Sequence, residues 1–435
     1  MEKIFAVSDK PKSIKNGLTL CPDINLYTGK KEFVEKYGEA TSLEQDLLVL
    51  SSAIFASDIA TKRGQQHNFV RHIELTIPVV NLSSFLNVAE DITYALNVLS
   101  SDAWKIQFVQ KDGQPEKTKK WETQQDGKVL LFSGGLDSFA AAISLAIKNK
   151  NIQLVSHVTA NQVITGTQDK LEDYLNKSHP NIFSRVTFRV TGFGKPTRGF
   201  PFPKDKEREE TQRTRSFMFL CLAGLVARRQ GHKDVVMIAE NGQMAIHLPL
   251  TAGRISAFST HTAHPEFVML MSGILSKLLN HRINIENPFL YMTKSEVVKL
   301  LLPKHKAILK DTVSCWKASR VSHYHHCGIC VPCLIRRIAL EKNGVLLKEY
   351  ERDLLKSNVA GLDPNDDGKR NLVELCEFIN NFAGDQSMAE LQLLFPELAA
   401  SDSYDPDQVV KMYKRFATEA LSVFKRYPEV MKIIR

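Results

Sequence analysis

Six consecutive residues have the chemistry to hold phosphate oxygens; they are Ser133-Gly134-Gly135-Leu136-Asp137-Ser138. The glycines let backbone N–H groups come close to a phosphate, because no Cβ blocks the approach. The serine hydroxyls are further donors, and free amides at the start of a helix attract anions. A bare phosphate would be repelled by Asp137, so we expect this residue to act through Mg²⁺. The lysine of a Walker A loop is missing, so the loop predicts a nucleotide site of another kind.

Strand and helix signals place this loop at the edge of a sheet. An apolar run at 129–132 predicts a buried strand, and helical periodicity begins near Asp137. Further strands are expected near 152–158, 185–190 and 234–239, and helices near 169–177 and 207–230. This alternation predicts an α/β fold with a doubly wound parallel sheet, which binds its ligand at the carboxyl ends of the strands.

Four further polar residues lie where a ligand would explain them. Arg213 and Arg215 fall in the first half of the helix expected at 207–230, where the helix dipole disfavours a cation. A phosphate or carboxylate ligand would explain them, and so would exposure to solvent. Glu240 and Asn241 directly follow an apolar strand, and groups at that position usually face the ligand crevice. A capped turn is the alternative for this pair.

Four of the seven cysteines are crowded together, namely Cys315, Cys327, Cys330 and Cys333. Two C-x-x-C steps that share their middle cysteine, with one thiol upstream, can surround one ion tetrahedrally. Four thiolates leave no open position on the ion, so we expect a structural Zn²⁺ site, with an iron–sulfur cluster as the alternative. The histidines at 323, 325 and 326 are not expected to be ligands.

The loop and the cysteine cluster together are similar to a known family. The S-G-G-x-D-S pattern resembles the PP-loop of the N-type ATP pyrophosphatases, which cleave ATP between its α- and β-phosphates. Over residues 128–345 the chain resembles QueC, the 7-cyano-7-deazaguanine (preQ0) synthase. The other motifs that carry this resemblance, in family order, are Arg215-Ser-Phe-Met-Phe-Leu, His264-Pro-Glu-Phe, Asn287-Pro-Phe, Lys294-Ser-Glu-Val, Thr312-Val-Ser-Cys315 and Cys327-Gly-x-Cys-x-x-Cys-x-x-Arg336.

The resemblance implies an adenine nucleotide α-hydrolase-like fold and an ATP-dependent ligase. Mg·ATP would lie on the loop, and the carboxylate of 7-carboxy-7-deazaguanine would attack the α-phosphate. An amine would then capture the acyl-adenylate; in QueC it is ammonia, and the amide is dehydrated to the nitrile. We expect Lys294 and Arg215 to stabilise phosphate charge, and Glu240 and Asn241 to read the base. The expected catalytic residues are Asp137, Arg215 and Lys294, and the expected substrate-binding residues are Glu240, Asn241, His264 and Arg213.

Two departures from QueC concern the second substrate. The family has Tyr-Pro-Asp-Cys where this chain has residues 259–264, which end in His264 instead of the family's arginine. QueC also lacks an N-terminal domain and a C-terminal extension of this size. The overall plan is more similar to the long QatC-type proteins of Qat anti-phage defence systems, so we expect the amine to lie on a partner protein. An ordinary synthase that uses ammonia, an RNA-modifying PP-loop enzyme and a non-catalytic binding subunit are the alternatives.

The 435-residue chain exceeds the roughly 250–300 residues at which single cores stop growing. We expect an α/β N-terminal domain at 1–110, a linker at 111–127, the ATPase domain with the zinc site at 128–345 and a helical C-terminal extension at 346–435. The first domain should contain helices at 43–62 and 82–100 and strands at 67–81 and 104–109, and the extension should end in one amphipathic helix at 405–435.

Composition and charge limit the kinds of binding partner and the cellular location that the sequence predicts. The net charge of +9 permits nucleic acid as a partner but does not favour it, since no run of five basic residues is present. No apolar run approaches the roughly 20 residues of a membrane span, and no signal peptide is apparent. The composition therefore predicts a cytoplasmic protein, and the resemblance to QueC implies a small-molecule deazaguanine substrate.

The extension contains an acidic loop with an EF-hand pattern, formed by Asp363, Asn365, Asp367, Gly368 and Glu374. Against a calcium site, Arg370 occupies a position that is normally aliphatic, and no second hand is visible. An acidic turn between helices is the favoured interpretation.

Overall fold

The structure is a computed structural model that describes residues 2–64, 70–116, 127–148, 151–158, 162–231, 236–251, 261–318, 325–348, 350–400 and 402–434. In chain order the strands are β1 (Glu2–Val7), β2 (Gly17–Leu20), β3 (Leu26–Thr28), β4 (His72–Val79), β5 (Ala103–Gln110), β6 (Gly127–Leu131), β7 (Asn151–His157), β8 (Phe183–Phe188), β9 (Val190–Gly192), β10 (Val236–Met237) and β11 (Ile285–Glu286).

The helices alternate with these strands and then continue alone to the end of the chain. In chain order they are α1 (Lys30–Tyr37), α2 (Ser42–Ala60), α3 (Leu82–Leu86), α4 (Ala89–Ser100), α5 (Leu136–Ala146), α6 (Gln162–Ser178), α7 (Arg215–Gln230), α8 (Gly242–Ala245), α9 (Pro265–Leu279), α10 (Lys294–Leu300), α11 (Val331–Lys342), α12 (Asp367–Ala383), α13 (Met388–Leu394), α14 (Glu397–Ala400), α15 (Pro406–Phe424) and α16 (Pro428–Met431). Short 3₁₀ turns lie at Pro196–Arg198, Asp205–Glu207, Lys306–Asp311 and Leu354–Lys356.

The second half of the molecule is built on a five-stranded sheet in the order β11-β10-β6-β7-β8. All its pairs are parallel, with Val129 opposite Val236 on one side and opposite Gln153 on the other. The first strand of this half, β6, therefore lies in the middle, and the chain winds outward from it in both directions. This order confirms the predicted α/β fold with parallel, doubly wound strands. In such sheets the crevice opens where the winding reverses, here between β6 and β10.

The first half has its own four-stranded parallel sheet, in the order β2-β1-β4-β5. Helix α2 packs between this sheet and α7 and is buried nearly all round, which explains its apolar sequence. It begins at Ser42, one residue before the predicted start, and Thr41 and Glu44 form a capping box there. One apolar core runs through both halves, from Phe5 through α2 to Leu222 and Val129. The domain bounds near 110 and 128 stay a prediction, but the two halves share a core.

A buried ionic cluster joins the two halves. Arg71 Nη2 lies 2.6 Å from a carboxylate oxygen of Asp58 and 2.6 Å from one of Asp102. Asp58 also accepts hydrogen bonds from the backbone N–H and the hydroxyl of Thr214, both at 2.9 Å. Burial alone would lower the pKa of Arg71, but the two carboxylates outweigh it and raise this pKa above its usual value.

The helix predicted at 207–230 was placed too early, because it begins at Arg215. Asp58 holds Thr214 at the residue before the helix, and Gln212 has a positive φ of 46°. Both features interrupt helical geometry upstream of Thr214. Arg213 therefore lies outside the helix, contrary to the expectation.

Other predicted elements differ mainly in their bounds. The helix expected at 82–100 is two helices, α3 and α4. The strand expected at 67–81 corresponds to the shorter β4, and residues 67–69 lie outside the described residues. The last helix is broken into α15 and α16, with Pro428 at the start of the second. A proline favours the first turn of a helix and ends the one before it.

The helical C-terminal extension has a separate apolar core, which includes Leu375, Phe378 and Phe416. Its calcium-loop pattern is an acidic turn, since α12 already begins at Asp367, and Asp367 pairs with Lys317 and Arg370. Within the described ranges, every helix is too short or too polar to span a bilayer.

We expect Arg71→Met to lower the free energy of unfolding by about 3–5 kcal/mol, because it leaves the buried Asp58 carboxylate without a counter-charge and leaves Asp102 with Arg63 alone. Denaturant unfolding measures this change. Lys31→Met, which removes an exposed pair with Glu35, is the control and should cost less than about 1 kcal/mol. Equal effects of the two substitutions would contradict a structural role for the cluster.

Candidate active site

The loop 133–138 joins the end of β6 to α5 at the reversal point of the sheet. Gly134 has φ 81°, and a Cβ there would lie 3.2 Å from Gln168 Cγ. The Ser138 hydroxyl donates to the carbonyl of Gly135 at 3.0 Å. Gly135 precedes α5 and supplies no side-chain cap, so the first amides of the helix are available to an anion. The loop therefore presents free backbone amides beyond the carboxyl end of β6, as the predicted phosphate site requires.

Asp137 links this loop to two distant segments. Its Oδ1 accepts from Lys294 Nζ at 2.7 Å, and its Oδ2 accepts from Asn241 Nδ2 at 2.8 Å and from the Asn241 backbone N–H at 3.2 Å. The Asp137–Lys294 pair is buried, with 9% of each side chain exposed. Both carboxylate oxygens are therefore engaged. The expectation that Asp137 acts through Mg²⁺ stays a prediction.

A cavity of about 150 Å³ opens beside this contact. Its walls are the loop after β6, the residues after β10, the start of α10 and the segment that leads into the cysteine cluster. Residues that line it include Ser133, Asp137, Glu240, Asn241, Lys294 and Trp316. Predicted site residues from three separate parts of the chain thus meet in one cavity.

Glu240 lies on the β10 side of the cavity. Its backbone N–H donates to Asn287 Oδ1 at 3.2 Å, and its carbonyl accepts from Asn287 Nδ2 at 2.8 Å. Its Oε2 accepts from the Thr262 hydroxyl at 3.3 Å. Burial, and next the negative charge of Asp137, raise the pKa of Glu240 to about 7. Asn287 was noted in the sequence only as part of a motif, and its position after β11 explains why it can hold the end of β10.

Three of the predicted site residues do not line this cavity. Arg213 is 1% exposed and donates to the carbonyl of Ser100, beside the ionic cluster between the two halves. His264 is buried beside Tyr404, and burial lowers the pKa of its imidazole to about 3. Arg215 lies over the ring of Phe219 at 5.3 Å, and burial lowers the pKa of its guanidinium to about 10.

The four cysteines form a compact buried cluster. Cys315 Sγ lies 4.0 Å from Cys330 Sγ, Cys327 Sγ lies 3.9 Å from Cys333 Sγ, and all four sulfurs are within 4.8 Å of one another. Thiolates around a tetrahedral zinc ion, at about 2.3 Å each, would be about 3.8 Å apart. The cysteines therefore fit Zn²⁺, which would supply structural cross-linking there. Among the described residues, this is the one group arranged to hold a metal.

The histidines near the cluster have other contacts or lie outside it. His326 Nε2 accepts from the Ser314 backbone N–H at 3.2 Å, and His325 is exposed. Neither belongs to the group formed by the four cysteines, and His323 lies outside the described residues.

The cluster is joined to the cavity wall by Arg336, which the sequence singled out only as the end of a motif. Its Nη1 donates to Thr312 Oγ1 at 2.8 Å, and its Nη2 donates to the carbonyl of Leu309 at 2.6 Å. Thr312 precedes the cavity-lining residues Val313 and Ser314. The cysteine cluster thus positions one wall of the candidate active site.

Comparison with known proteins agrees with this architecture. A family model described as "Queuosine biosynthesis protein QueC" matches residues 202–344, which run from the segment before α7 to the end of the cysteine cluster and α11. Residues 202–344 are therefore similar to the QueC family. The loop 133–138 lies on the N-terminal side of the matched residues.

Curated relatives are 7-cyano-7-deazaguanine synthases. The one from Sulfolobus acidocaldarius is 25% identical over 270 residues, which are 59% of this chain and 54% of that protein. The one from Methanococcus maripaludis is 25% identical over 227 residues, which are 50% of this chain and 95% of that protein. A relative from Brucella anthropi is 25% identical over 225 residues, covering 50% of this chain and 90% of that protein. The chain thus spans about half of the Sulfolobus relative and nearly all of the Methanococcus one.

The purified protein should contain one zinc ion per chain, and Cys330→Ser should lose the ion and lower the melting temperature, because four thiolates hold it. Elemental analysis and thermal unfolding measure these two effects. Cys376→Ser is the control, since Cys376 is a buried cysteine of the C-terminal core. Iron with visible absorbance in place of zinc, or zinc retained in Cys330→Ser, would contradict the assignment.

Proposed function

We propose that the protein uses ATP to activate the carboxyl group of 7-carboxy-7-deazaguanine as an acyl-adenylate and then transfers the acyl group to an amine. The observation that carries this proposal is the buried contact of Asp137 with Lys294 and Asn241, which assembles a phosphate loop and two other segments around one cavity. The similarity to the QueC family and the curated deazaguanine synthases supply the substrate class.

The loop would receive the phosphates of ATP, which would bring its Mg²⁺. The backbone amides at the start of α5, together with Ser133 and Ser138, would donate to the phosphate oxygens. An ammonium group has three N–H donors, and Asp137 takes one of those of Lys294. The remaining donors can stabilise the negative charge that grows on the α-phosphate as the carboxylate attacks it. Pyrophosphate then leaves.

Two other residues have properties that suit anionic or polar ligands. Arg215 has no carboxylate within 4 Å among the described residues, and its Nε has no hydrogen-bond partner there. A phosphate that extends beyond the cavity would give this cation its partner. Asn241 donates twice to Asp137, and its buried Oδ1 has no described donor, so it is a candidate for a base N–H. Arg213 and His264 do not line the cavity, and their predicted contact with substrate stays a prediction.

The acceptor amine is proposed to lie on a partner protein of an anti-phage defence system. This part of the proposal rests on the similarity of the long chain plan to QatC-type proteins. It also rests on the C-terminal extension, which packs directly behind the cavity: Tyr413 OH donates to the carbonyl of Gln243 at 3.4 Å, and Glu419 accepts from Thr293 next to Lys294. Incubation of the enzyme with the partner, ATP and labelled deazaguanine should place the label on the partner; a free nitrile alone would indicate an ordinary synthase.

We expect ATP–pyrophosphate exchange that depends on 7-carboxy-7-deazaguanine, because formation of an acyl-adenylate is reversible. Asp137→Ala should abolish the exchange, since it frees Lys294 and Asn241 from their positions. Asp173→Ala, at an exposed position on α6, should leave it unchanged. Exchange that does not need the deazaguanine, or that survives in Asp137→Ala, would overturn the proposal.

A further inference from the structure

The cavity offers one carboxylate oxygen that has no described hydrogen-bond donor. Among the described lining residues, the titratable side chains are Asp137, Lys294 and Glu240. Asp137 and Lys294 are paired, and the second oxygen of Asp137 is taken by Asn241. Glu240 uses only Oε2, which Thr262 contacts, and no described residue donates to Oε1. Glu240 is therefore the one lining carboxylate among them with an oxygen available to a substrate.

The position of Glu240 is set by its backbone rather than by its side chain. Asn287 hydrogen-bonds both the N–H and the carbonyl of Glu240, so the residue is held where β10 ends. The hydroxyl of Thr262 orients the carboxylate from the other side. A group that is fixed in this way and keeps one free oxygen is arranged to accept a proton from a bound molecule.

We propose that Glu240 is the general base of the second half-reaction and takes a proton from the attacking amine. This inference rests on the proposed function. The ammonium form of the acceptor gives one proton to Oε1, and the neutral nitrogen then attacks the acyl carbon of the adenylate. A C–N bond forms, the bond between that carbon and the phosphate oxygen breaks, and AMP leaves with the electron pair. The second proton released from nitrogen goes to AMP or to water.

The charges around Glu240 suit this role. Burial raises the pKa of its carboxyl, and the negative charge of Asp137 raises it further. The positive charge of Lys294 and the hydrogen bond from the Thr262 hydroxyl lower it, so that the pKa is about 7. At neutral pH the carboxyl is thus partly ionised and can both accept and release a proton. Since the base is the ionised form, the transfer step should become faster as the pH rises through about 7.

The test measures the two half-reactions separately in the variant Glu240→Gln. This substitution keeps the shape of the side chain, but the amide cannot accept the proton. Glu286→Gln is the matched control, because Glu286 is an exposed glutamate at the end of the neighbouring strand β11. ATP–pyrophosphate exchange with 7-carboxy-7-deazaguanine reports the first half-reaction. Amide and nitrile formation from ammonium, and hydroxamate formation from hydroxylamine, report the second.

We expect Glu240→Gln to keep the exchange rate and the KM for the deazaguanine, and to lose at least about 100-fold in transfer to ammonium. Transfer to hydroxylamine, which is already neutral at pH 7, should fall by less than about tenfold. Equal loss with both amines would overturn the inference, and so would a raised KM for the deazaguanine, which would show that Glu240 reads the base. Absence of exchange in the unmodified enzyme would instead refute the proposed function itself.

Discussion

The candidate active site depends on one buried ion pair. Asp137 lies in the first turn of α5, at the end of the loop 133–138. Lys294 is the first residue of α10 and lies 157 positions later in the chain. Two charges are removed from water only where geometry and further hydrogen bonds compensate for the loss of hydration, and here Asn241 supplies those bonds. The loss of either charge would leave the other buried and uncompensated, at a cost of about 3–5 kcal/mol. The pair therefore holds together the three segments that form the cavity.

Parts of the chain that lie outside the sheet support the same cavity. The cysteine cluster and Arg336 hold the segment at 312–315, whose residues line one wall. On another side, Met412 of α15 packs against Gly242, where an added Cβ would lie 2.2 Å from the carbonyl oxygen of Leu290. The absence of a side chain at this position lets the segment after β10 lie close to its neighbours. The cysteine cluster and the C-terminal extension thus support the walls of the cavity through hydrogen bonds and packing.

Local signals in the sequence were sufficient for much of this structure. Two glycines between an apolar run and a helical pattern specify a strand, a loop and a helix, and the cysteine spacing specifies a four-sulfur cluster; both are found. Such local signals could not predict contacts between residues that are distant in the sequence. Helix α7 begins at Arg215, later than predicted, because Thr214 donates a hydrogen bond to Asp58, which lies 156 positions earlier. The sequence near residue 207 contains no pattern from which this hydrogen bond could be predicted. For the same reason Arg213 was predicted to contact the substrate, whereas it donates to the carbonyl of Ser100 at the junction of the two halves. Glu240 could be placed at the crevice from its position after a strand, but its free oxygen is visible only once Thr262 and Asn287 are in place.

The proposed reaction requires the cavity to position a carboxylate that attacks the α-phosphate of ATP. The most direct measurement is to supply 7-carboxy-7-deazaguanine with ¹⁸O in its carboxyl group, together with ATP and ammonium, and to determine the mass of the nucleotide product. We expect AMP that carries one ¹⁸O atom, because a carboxyl oxygen stays on phosphorus when the acyl group leaves. AMP without the label, which would show attack by water, or ADP in place of AMP, would contradict it.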